Sequence, residues 1–121
     1  MAEPPIDSTT FKELQDAAGA DFVVELVDTF LGDAPTMLDE LRSSLAAGDA
    51  DKFRRAAHSL KSNSLTFGAL RLGDLARELE HHGLQHAQSA NAQGLKLLDV
   101  LAQEYARVAA ALTELRGPPH G

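Results

Sequence analysis

The chain has 121 residues, 44% hydrophobic and 24% charged, which suits one soluble domain with a single modest core. A formal net charge of −7 argues against nucleic acid as the main partner, and the absence of cysteine excludes disulfide frameworks, Cys-ligated zinc and thiol catalysis. Met1 to Thr10 lacks the basic and apolar segments of a signal peptide, and no run of apolar residues is long enough to span a membrane, so a cytoplasmic protein is expected.

Residues 1–7, with Pro4 and Pro5, read as a disordered lead. Thr10 with Glu13 fits a capping box, and Phe11, Leu14 and Ala18 form a short apolar stripe ended by Gly19. A short first helix is expected there, capping the domain. Asp21 is placed to cap the next helix, where Val23, Leu26, Val27 and Phe30, then Met37, Leu38, Leu41 and Leu45, recur every three or four residues. Pro35 removes one backbone donor inside that pattern, so one long, kinked helix over about 21–47 is expected, with Gly48-Asp49 ending it. A fresh start capped by Asp33 is the alternative.

Asp51 is read as the cap of the third helix, whose stripe Phe53, Ala56, Leu60, Ser64 and Phe67 faces a core. Gly68 then suits a left-handed turn. Leu72, Leu75, Ala76 and Leu79 predict a further helix, ending at His81-His82-Gly83. Gly73 inside it is unfavourable for a helix and implies close packing or partner access. Residues 84–90 read as a loop. Leu98, Leu101, Tyr105, Val108, Leu112 and Leu115 form the most regular seam, ended by Gly117-Pro118-Pro119, with 117–121 a disordered tail. No stretch alternates with period two. The fold class expected is all-α: an antiparallel up-down-up-down four-helix bundle over 8–116, with a short N-terminal capping helix. Its four stripes can satisfy one another within one chain, which predicts a monomer.

At about 100° per residue, His58 lies opposite the third helix's apolar stripe, so its imidazole faces water. Arg54, Ser62 and Leu65 share its side of the helix, and Lys61 flanks it one turn on. From Lys52 through Leu72 the basic residues Lys52, Arg54, Arg55, Lys61 and Arg71 occur with no Asp or Glu. That local basic patch around an exposed histidine points to an anion or an acidic partner.

The run His58-Ser59-Leu60-Lys61-Ser62-Asn63-Ser64, with Gly68 beyond it, resembles the signature of histidine-containing phosphotransfer (HPt) domains. The family pattern is a histidine, two residues, a lysine, a small residue, polar small residues, and a glycine about ten positions after the histidine. Ser62 stands where many members have glycine, and it too is small. The helical layout extends the likeness over nearly the whole chain. The resemblance implies a phosphorelay intermediate, not an enzyme with its own ATP site. His58 would be phosphorylated by a receiver-domain aspartate and Lys61 would stabilise the phosphoryl group. Arg54, Arg55, Ser62 and Leu65 would meet the partner. That partner would be a response-regulator receiver domain or a hybrid histidine kinase, with Mg²⁺ on the receiver and no cofactor or metal here. Asn63 and Ser64 are expected to hydrogen-bond within the bundle. With a reference pKa near 6.5, an exposed histidine is mostly neutral at cellular pH and can act as the nucleophile.

Three other readings differ in their residues. The phosphoacceptor domain of a sensor kinase typically has an acidic residue after the histidine and a proline soon after. Here Ser59 follows, and no proline occurs between Pro35 and Pro118. A metal-binding bundle would draw on Glu78, His82 and His86, with His81 adjacent, but Gly83 should end the helix before His86. A scaffold that has lost phosphotransfer would not need both His58 and Lys61.

Overall fold

The computed structural model of the chain describes residues 4–82 and 88–117, and all the secondary structure among them is helical. The helices are α1 (Ser8–Ala18), α2 (Ala20–Ala47), α3 (Ala50–Thr66), α4 (Leu70–His82) and α5 (Gln88–Arg116). α2 packs on α3 and α5, and α4 packs on the same two, which closes a ring of four. Leu65 meets Gly73 while His58 meets Glu80, so α3 and α4 run in opposite directions. Leu45 near the end of α2 lies against Gly94 near the start of α5, and Arg116 at the end of α5 pairs with Asp28 at 2.7 Å. The bundle is antiparallel, as expected, with α1 laid over one end against α2 and α3.

The predicted stripes supply the core. Val23, Val27, Phe30, Leu38, Leu41 and Leu45 of α2 face Phe53, Leu60, Leu72, Leu79, Leu98, Leu101, Val108 and Leu112 from the other helices, all buried. Phe30 packs against Phe67 with ring centroids 5.4 Å apart and planes tilted by 43°, and it meets Tyr105 edge-on at 6.1 Å. Leu115 departs from the predicted seam: it is 43% exposed. Pro35 lies inside a single α2, and no second helix starts at Asp33.

The caps correct the sequence reading. Asp7, not Thr10, caps α1: its carboxylate accepts from the Thr10 backbone N–H at 3.0 Å and from the Thr10 hydroxyl at 2.5 Å. Its hydrogen bonds, with no large opposing desolvation, hold the Asp7 carboxyl below the usual carboxylate range. α2 starts directly after Gly19, which has φ +96°, so Asp21 falls in the first turn and makes no side-chain cap. Asp49 rather than Asp51 caps α3, accepting from Lys52 N–H at 3.1 Å. The left-handed Gly48 turns the chain so tightly that the next residue is already the cap. The lead also differs from expectation: Ile6 is buried in the core, and the Asp7 N–H donates to the Gly68 carbonyl at 2.8 Å. Apolar burial and that hydrogen bond order residues that the two prolines made look unstructured. Of the expected loop over 84–90, residues 88–90 belong to α5, and 84–87 lie outside the described residues.

Candidate functional site

α3 places the candidate residues. Phe53, Ala56, Ala57, Leu60 and Ser64 are buried on one face, which turns His58 outward at mid-helix with its side chain 59% exposed. The buried Ser64 hydroxyl donates back to the Leu60 carbonyl at 2.6 Å, so it needs no partner outside its own helix. Asn63 also hydrogen-bonds within the bundle, as expected, though it is exposed: its amide donates to the Ser59 carbonyl of its own helix at 2.9 Å.

The imidazole has a partner that sequence reasoning missed. His58 Nδ1 lies 2.7 Å from Glu80 Oε2, and the other oxygen of the same carboxylate accepts from Lys61 Nζ at 2.7 Å. Glu80 belongs to α4, flanking the apolar position Leu79, and reaches across the helix groove. Its side chain is 19% exposed and that of Lys61 22%, so both bridge groups are partly shielded. The Lys61 hydrogen bond, with a smaller contribution from His58, outweighs the opposing desolvation and holds the Glu80 carboxyl below the usual carboxylate range. An ionised carboxylate can only accept, so the 2.7 Å contact requires a proton on Nδ1. In a neutral ring that leaves a lone pair on Nε2, the nitrogen turned away from Glu80.

The basic patch read along the sequence is less free in three dimensions. Arg54 pairs with Asp51 at 2.7 Å. Arg55 donates to the Asp51 carbonyl at 3.4 Å, and with Lys52, Ser59, Asp33 and Glu40 it lines an open groove of about 450 Å³ between α2 and α3. Arg71 lies on the far side of α4 and approaches the buried Glu104, which Arg107 holds at 2.7 Å. Of the predicted site residues, His58 and Lys61 come together at Glu80, Ser62 and Leu65 sit exposed on the same face, and the two arginines turn toward Asp51. His86 of the metal reading lies outside the described residues, as does the His82 side chain. Among the described residues no cluster of three His, Cys, Asp or Glu could hold a metal ion. No described helix is long and apolar enough to cross a membrane.

The sequence model of the Hpt domain matches residues 25–116. The crystal structure of histidine-containing phosphotransfer protein B (HptB) from Pseudomonas aeruginosa PAO1 superimposes with a TM-score of 0.83 at 30% identity, covering 98% of this chain and 100% of that one. No curated protein sequence matches significantly.

Proposed function

The chain belongs to the Hpt domain family, and from that premise we propose that it relays a phosphoryl group between receiver-domain aspartates through His58. The observation that carries this reading is the Glu80 contact, which fixes the proton on Nδ1 and leaves Nε2 as an outward-facing nucleophile. The Nε2 lone pair attacks the phosphorus of an aspartyl phosphate. The N–P bond forms as the O–P bond breaks, and the receiver's carboxylate departs as an anion. No proton leaves the ring. With Nε2 bonded to phosphorus and Nδ1 still protonated, the imidazole becomes cationic, and Glu80 offsets that charge at 2.7 Å.

Lys61 stands beside the same carboxylate and serves the phosphoryl oxygens. At about 5 Å and an effective dielectric near 20, one such charge pair is worth about 3 kcal/mol. Exposure and screening cut that to about 1 kcal/mol or less. An energy of that size tunes the lifetime of a phosphohistidine and does not drive the reaction. The protein is therefore a carrier without an ATP site, and the receiver brings Mg²⁺ and the acid–base groups. Leu65 and Ser62 meet the receiver, and the bundle works as a monomer in the cytoplasm.

The test is transfer of labelled phosphate from a panel of phosphorylated receivers, without ATP, to wild type and His58→Gln. Acid-labile label on the wild type alone is expected, with the helical content of the two proteins equal. Label on both, or on neither from any receiver, would refute the assignment.

A further inference from the structure

Gly73 sits inside α4, where glycine weakens a helix, and the space over it is filled by one side chain. A Cβ on Gly73 would stand 2.6 Å from Leu65 Cδ2 and 2.9 Å from Leu65 Cγ. No real carbon pair tolerates 2.6 Å, so one of the two must shift. Helix packing fixes the α4 backbone, because Leu72, Leu75 and Ala76 on either side of Gly73 are buried. Leu65 is 41% exposed and has solvent above it. The notch thus lets Leu65 lie down across the α3–α4 groove, and any side chain at 73 would lift it outward.

That height matters because of where Leu65 stands. It is seven residues from His58 on the same side of α3, about 10.5 Å along the axis. A receiver that brings its phosphoryl group to Nε2 and covers a standard footprint of about 800 Å² reaches about 16 Å from that point. Leu65 falls well inside this circle. We infer that Gly73 is a positioning residue for receiver docking, acting through Leu65: by accepting the leucine into its notch it keeps the face beside His58 low enough for a receiver domain to seat. The inference rests on the relay reading and adds to it a determinant on a helix that does not carry the histidine.

The experiment is a double-mutant cycle with Gly73→Ala, Leu65→Ala and the pair, in full-length protein checked for unchanged helical content. Each variant is phosphorylated by a phosphorylated receiver and, separately, by phosphoramidate, a donor too small to need docking. Gly73→Ala is expected to raise the KM for the receiver on the order of tenfold, the scale of a misfit at a close-packed contact. The phosphoramidate rate should stay that of wild type. The pair should match Leu65→Ala alone, since the alanine at 73 then has nothing to displace. An unchanged receiver KM in Gly73→Ala, an equal loss with both donors, or additive effects in the pair would each overturn the inference while the wild type is still labelled. A wild type that no receiver labels would refute the relay reading, and this inference with it.

Discussion

Replacing Glu80 with Gln keeps the size of the side chain and one acceptor oxygen but removes the charge that His58 and Lys61 share. In the proposed transfer the ring turns cationic. A hydrogen bond from such a donor to a charged acceptor contributes about 1.5–3 kcal/mol, against about 0.5–1.5 for a neutral one. The loss of about 1–1.5 kcal/mol slows acceptance about five- to tenfold. The variant also frees Lys61, whose side chain is 22% exposed, and this acts in the opposite sense on the product. At about 1 kcal/mol or less, that gain lengthens the phosphohistidine lifetime by at most about fivefold. Single-turnover transfer from a phosphorylated receiver measures the first effect, and hydrolysis of the isolated phosphoprotein the second. Nitrogen NMR of His58 should show Nδ1–H predominating in the wild type and a tautomer mixture in Glu80→Gln. Acceptance within about twofold of wild type, with the tautomer unmoved, would refute the role given to Glu80.

Lys61→Ala should leave helicity intact and shorten the phosphohistidine lifetime by at most about fivefold, as a screened single charge implies; equal lifetimes would remove Lys61 from the chemistry. Gly68→Ala forces a side chain onto a residue with φ +83° and puts its Cβ 2.9 Å from both the Asp7 carbonyl oxygen and Thr10 Cβ. It should cost about 2 kcal/mol or more in denaturant unfolding, and an unshifted midpoint would show that the α3–α4 turn carries no such strain. The Glu80 bridge should also make stability depend on pH. Its folded-state pKa is lowered, so its contribution is complete above the ordinary carboxylate range and disappears as pH falls through the lowered value. The stability gap between wild type and Glu80→Gln should hold from neutral pH to about pH 5 and close in stronger acid. A gap that persists in strong acid would mean that shape, not charge, accounts for it.

The sequence made legible what a single helix records. The spacing of Phe53, Ala56, Leu60 and Ser64 placed His58 in solvent, and Lys61 followed from its position one turn away. Glu80 was not legible, because it meets His58 from another helix, 22 positions on, and nothing local marks it. The available signal was a carboxylate bordering the apolar stripe of the helix next in line, facing an otherwise unpaired lysine. The arginines failed for a related reason: a run without acidic residues in sequence is not a surface without them, and the Asp51 carboxylate, just outside the run, takes Arg54, while Arg55 turns to the Asp51 backbone carbonyl. The caps erred by two or three residues where several Asp, Ser and Thr compete. Asp7 and Asp49 won because the chain needs its turns to close there. The two reasons offered for Gly73, packing and access, are not exclusive: Leu65 packs over it, and in the docking inference that packing is what keeps the face open to a partner.

The tight turns at the two ends of α3 bear on how fast a partner can engage. Gly48 and Asp49 join it to α2, and Phe67, Gly68 and Ala69, clasped by the Asp7 backbone, join it to α4. A helix held at both ends and buried along one face opens only when much of the bundle opens, so its inner amides should be among the slowest to exchange with solvent. The histidine is therefore carried on a platform that has no ordering step left to make when a partner arrives. In the proposed relay, association is then limited by diffusion and orientation of the receiver rather than by any folding of this chain.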